Sequence, residues 1–154
     1  MTKLLFGKLF LWSAAFGVFS SYLPAKKNRN QGIEGMVYRI SGNHMPSPGV
    51  KKPAPKGIRT TIYIYERTTI LQADRQGETP FYSSIHTRLV RKTESDSAGY
   101  FKVRLPPGSY SLFTKKDTLF YACWFDKDNT IAPVDVHPHK MTHVELKVDY
   151  DAYY

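Results

Sequence analysis

The sequence predicts an all-β fold, a small antiparallel sandwich of about seven strands. Three observations point there. Short runs of alternating apolar and polar residues recur along the chain. Clusters of Gly, Pro, Asp and Asn punctuate them. No segment after the first 25 residues shows a helical period. The composition agrees: with 42% hydrophobic and 23% charged side chains, 154 residues make one globular domain able to bury a core.

The chain opens MTKLLFGKLFLWSAAFGVFSSYLPA. A short basic start, an apolar run from Leu9 to Phe19 and small residues at Ser20, Ser21 and Ala25 are the layout of a secretory signal peptide over 1–25. The apolar run is shorter than the roughly 20 residues a spanning helix needs, so cleavage is expected over a retained anchor. No cysteine lies nearby to accept a lipid. The expectation is therefore a periplasmic or secreted protein with no membrane span after cleavage.

Residues 26–32, KKNRNQG, read as a flexible basic lead-in, and the sandwich is expected over 33–150 with a tail at 151–154. GIEGMVYRI is the first strand candidate. Four prolines in SGNHMPSPGVKKPAPKG then predict a long surface loop. In IRTTIYIYER, Ile58, Ile62 and Ile64 share one face, and Tyr63 and Tyr65 take the other. TTILQADRQGETPFYSS is either a short helix around Leu71–Arg75 or a long excursion, and IHTRLVRKTES is another strand.

SDSAGYFKVRLPPGSYSLF carries the densest signal. The Asp96 carboxylate can accept from the amides just ahead of it, and Gly99 supplies the backbone freedom of the turn exit. Phe101, Val103 and Leu105 then alternate with Tyr100, Lys102 and Arg104. Pro106, Pro107 and Gly108 reverse the chain, and Tyr110 and Leu112 point inward on the return, which predicts a β-hairpin. LFYACWF, IAPVDV and MTHVELKVDY complete the strands.

Asp96-x-x-Gly99-x-Phe101 followed by Leu105-x-x-Gly108-x-Tyr110-x-Leu112 resembles the signature of carboxypeptidase regulatory-like domains, and Gly35-x-Val37 resembles their first strand. GNHMPSPG and the insertion before IHTRLV are similar to exported proteins of this type in Bacteroidota. The resemblance spans about residues 33–150 and implies a transthyretin-like (prealbumin-like), seven-stranded antiparallel Greek-key sandwich. It implies no activity, since such domains host many tasks. The chain ends DYDAYY, unlike the tails of hydroxyisourate hydrolases. Phe113 and Thr114 stand where related adhesin domains carry an isopeptide-forming Glu.

The net charge is +9. No basic helix or RNA-binding motif accompanies it, so it reads as a solvated basic surface with no nucleic-acid partner. The lone Cys123 cannot form an internal disulfide, and FYACWF predicts a buried, inert thiol. No Gly-x-Ser-x-Gly elbow, phosphate loop or HExxH helix is present, so a non-catalytic module is expected. A hydrolase assembled from scattered residues stays open as an alternative. His137, His139 and His143 are the metal candidates, for zinc or copper, with Asp126, Asp128 and Asp135 able to add oxygens. Tyr38, Tyr63 and Tyr65, near Arg39, Arg59 and Arg67, are candidates for a platform binding an envelope protein or glycan. Asn43 and His44 are candidates for a binding loop.

Overall fold

The computed structural model describes residues 30–43 and 54–153, with the backbone alone for Asn43 and 150–153. Eleven strands build two sheets. The first contains β1 (Gly32–Asn43), β2 (Lys56–Gly57), β7 (Tyr100–Val103) and β11 (Met141–Tyr153). The second contains β3 (Thr61–Glu66), β4 (Ala73–Arg75), β5 (Phe81–Ile85), β6 (Leu89–Glu94), β8 (Gly108–Lys116), β9 (Leu119–Tyr121) and β10 (Pro133–Val136). The all-β sandwich expected from the alternation is present. The strand number is higher: the insertion contributes β4 and β5, and the proline-rich stretch expected as loop ends in the short β2. The pairing is not purely antiparallel either, since β1 and β11 run parallel.

The alternation explains the main core. Ile33 and Val37 of β1, Phe101 and Val103 of β7, and Leu146 and Val148 of β11 face inward from the first sheet. Ile62 and Ile64, Tyr110 and Leu112, and Val134 and Val136 meet them from the second. Each large apolar side chain taken fully out of water contributes about 1.5–3 kcal/mol. A second cluster covers the opposite face of β3 and β8: Tyr65 and Phe113 pack with Tyr82, Ala73, Ala122, Ile131 and Ala132. Rings meet edge to face there, at 5.7 Å between Tyr65 and Phe113 and 5.9 Å between Tyr82 and Phe113. β8 is therefore buried on both faces. The insertion is a short 3₁₀ turn (Ile70–Gln72) followed by strand, not an α-helix.

Two further expectations are corrected. β7 and β8 do not form a hairpin. β7 pairs with β1, and β8 pairs with β3, β9 and β10, so Leu105–Pro107 carry the chain from one sheet to the other. The Tyr110 hydroxyl donates to the Pro106 carbonyl at 2.9 Å and holds that crossing, the device known in β-sandwiches as a tyrosine corner. Nor do 151–153 lie in a tail: they continue β11 and pair with Ser41, Gly42 and Asn43, while 154 lies outside the described residues.

The Asp96 turn forms as the sequence predicts. One carboxylate oxygen accepts from the amides of Ala98 and Tyr100, both at 2.9 Å. Gly99 sits at φ +91°, and a Cβ there would lie 2.3 Å from the Val37 carbonyl oxygen. Gly35 needs its missing side chain for a different reason: a Cβ would lie 1.8 Å from the Val144 carbonyl oxygen in the parallel pair.

Gly99→Ala is expected to lose about 1–3 kcal/mol to backbone strain and more to the clash with Val37. Gly77→Ala shares the positive φ (+58°) but meets nothing within 4 Å, and should lose less. Urea unfolding of both variants checks this. The Gly99 variant should have the lower midpoint at an unchanged slope.

Candidate functional site

The three histidines are not brought together. His137 directly follows β10 of the second sheet, and His139 lies in the exposed turn beyond it, closed by the Lys140 amide on the His137 carbonyl at 3.4 Å. His143 is on β11, beside Glu34 of β1. Val144, Leu146 and Val148 turn toward the interior, so His143 faces solvent on the outside of the first sheet. Among the described residues no group of three or more His, Cys, Asp or Glu is placed to hold a metal. The aspartates are engaged elsewhere. Asp126 Oδ1 accepts from the amides of Asp128 at 2.9 Å and Thr130 at 2.8 Å. Asp128 pairs with Arg67 at 3.4 Å, and Asp135 accepts from the Ser109 hydroxyl at 2.5 Å.

The tyrosine platform does not assemble either. Tyr38 is on β1 in the first sheet, while Tyr63 and Tyr65 are on β3 in the second. Tyr65 is buried under the inserted strands. Tyr63 is half-buried, edge-on to Phe120 at 5.4 Å, with the ammonium groups of Lys92 and Lys115 over its ring at 5.1 and 5.2 Å. Asn43 ends β1 opposite Tyr153, and His44 lies outside the described residues.

Cys123 is exposed rather than buried. Its thiol nevertheless donates to the Lys147 carbonyl at 3.8 Å, and burial pushes its pKa up despite an opposing hydrogen bond with Tyr121. Tyr121, pushed up first by burial and then by its hydrogen bond to Asp149, also titrates far above the ordinary phenol range. Neither group is poised as a nucleophile or base near neutral pH. The adjoining cleft, lined by Thr114, Tyr121 and Cys123, encloses about 10 Å³. That is room for about one water molecule.

The open side of the sandwich is different. There β6 of the second sheet faces β7 of the first across a groove of about 510 Å³ lined by Arg91, Lys92, Thr93, Lys102, Val103 and Arg104. A second groove of about 620 Å³ shares Arg91 and adds Arg67 and Arg88, with Glu66 the one carboxylate in its wall. Three of these six cations meet a carboxylate: Arg67 with Asp128, Arg88 with Glu66 at 2.6 Å, and Lys102 with Glu34 at 2.9 Å. Arg91 and Arg104 have no acidic partner among the described residues, and Lys92 rests on Tyr63. Among the described strands β6 pairs only with β3, so it presents an open backbone edge; β7 pairs only with β1, but both backbone groups of its Tyr100 are taken by Asp96.

The groove cations were legible only as the polar halves of alternating runs. A count of basic residues at the alternate positions of IHTRLVRKTES and YFKVRL would have marked both strands as cationic. That the two strands face each other is a non-local fact. No protein-family model matches the chain, and neither a curated protein nor a solved structure is significantly similar to it.

Two tests follow from these geometries. The Thr130 amide, then the Thr130 side chain, the Asp128 amide and the Arg67 charge, hold the Asp126 carboxyl below its ordinary value against a smaller opposing effect of burial. A depressed folded pKa stabilises the fold above the unfolded value near pH 4, and that stability is lost as the pH falls through the folded value. Asp126→Asn should therefore unfold at lower urea than the parent at pH 7. The two midpoints should converge as the pH drops toward 2. A constant gap would show that the charge contributes nothing. For Cys123, alkylation by iodoacetamide at pH 7.5 should be slower than for N-acetylcysteine, despite the residue's exposure. A faster reaction would reveal an activated thiolate.

Proposed function

We propose that this protein is an exported, non-catalytic binding or scaffolding module of the cell envelope. The observation that carries the reading is the basic groove: the edge of β6, open among the described residues, faces β7 across a channel whose lining carries excess positive charge. The layout of residues 1–25 supports export. Among the described residues no helix is long and apolar enough to cross a membrane. The resemblance to carboxypeptidase regulatory-like domains supports an accessory role, because in the enzymes that carry them such domains stand beside a separate catalytic domain.

In vivo crosslinking of the tagged full-length chain, with mass spectrometry of the envelope fraction, tests both halves. The expected result is a mature N-terminus between residues 20 and 26 and a recurrent envelope partner. An intact N-terminus would sink cleavage. A cleaved protein recovered without any partner would sink the binding role.

A further inference from the structure

We infer that the groove between β6 and β7 takes an extended, acidic polypeptide segment of a partner protein, held by strand addition to the open edge of β6; this rests on the binding-module reading above. Two independent features select that occupant. The first is charge. Arg91, Lys92, Lys102 and Arg104 line the groove with no carboxylate among its lining residues, and only Lys102 is neutralised by an acid nearby, Glu34. A ligand with carboxylates at intervals along its length complements that row. The second is the backbone. Along its side away from β3, β6 presents a row of amide N–H and carbonyl groups with no strand partner among the described residues, whereas both backbone groups of Tyr100 in β7 are taken by Asp96. An extended polypeptide pairs with both kinds of group at strand spacing, which an anionic sugar chain does not do.

The other occupants fit less well. A second copy would bring the same cations to the same edge and be repelled. The chain's own stretches outside the described residues, 1–29 and 44–53, carry Lys and Arg but no Asp or Glu, so they do not complement the groove. Tyr63 adds to the attraction by fixing Lys92 over its ring, beside the groove instead of free in solvent.

The test uses the purified full chain and a fluorescent peptide of alternating Glu and Thr, followed by anisotropy. Three comparison ligands accompany it: the Gln–Thr analogue, the Glu–Thr peptide N-methylated at alternate amides, and a polyuronate of similar charge. The Glu–Thr peptide should bind, more weakly as salt rises. The Gln–Thr and N-methylated peptides should each bind at least about tenfold more weakly. Amide exchange should slow within Leu89–Glu94 when the peptide is present. The double variant Arg91→Glu, Arg104→Glu alters two exposed side chains; it should keep the parent melting temperature and lose peptide affinity. If the N-methylated peptide and the polyuronate bind as well as the Glu–Thr peptide, strand addition is wrong and the groove is a general polyanion site. If no acidic ligand binds, the groove assignment is wrong. Crosslinking to an envelope partner would still support the binding module in that case, so the two failures are separable.

Discussion

Everything in this sandwich depends on where the chain changes sheets between Val103 and Gly108. β8 is the most contested strand in the molecule: β3 pairs along one side, β9 and β10 share the other, and both of its faces are buried. It can pair with β3 on one side and with β9 and β10 on the other only if the chain does not spend one of its edges on β7. A tight hairpin through Pro106-Pro107-Gly108 would have done that. The bond from the Tyr110 hydroxyl to the Pro106 carbonyl fixes the crossing instead, while the same ring is packed in the core with Leu112 and Val136. One side chain thus couples the turn to the packing on both sides of it.

The same economy is seen in the turns. Asp96 and Asp126 build one motif twice. In each, the aspartate amide donates to the carbonyl four residues on, and one carboxylate oxygen accepts from the amides two and four residues on. The fourth residue takes the left-handed conformation, Gly99 at φ +91° and Asn129 at φ +57°. Asn tolerates that region where most residues do not. The first turn was readable because glycine advertises it. The second, DKDNT, has an Asn there, and its carboxylates drew attention as metal ligands instead. Spacing alone could have identified it: an Asp followed three residues later by Gly or Asn is a turn before it is a ligand set.

Local chemistry therefore made most strands and turns legible, and the errors share one cause. The alternation in YFKVRL and SYSLF states that each run has an inner face, and both do. It contains nothing about which strand lies beside it. So a turn flanked by strands was read as a hairpin, and Tyr65 was read as exposed because a two-layer sandwich has no use for its second face. Here the inserted strands and the 122–132 segment supply a second apolar cluster that covers it. The histidines failed for the same reason. Three residues close in sequence fall just past β10, in the turn that follows it and on β11 of the other sheet.

The rim of cations has a structural use that bears directly on the functional one. Open sheet edges invite pairing with any extended chain, and lysine or arginine beside an edge is the common protection against self-association. Unpaired charges serve that protection well, and Arg91 and Arg104, without acids among the described residues, supply them in the groove beside the open edge of β6. Protection alone does not explain why Tyr63 holds Lys92 in place instead of leaving it in solvent. Such an arrangement repels copies of itself, and under the proposed reading it also lowers the electrostatic cost of an acidic guest. Exclusion and recognition are then the same field seen by partners of opposite sign. A cationic edge is closed only to chains that resemble its own.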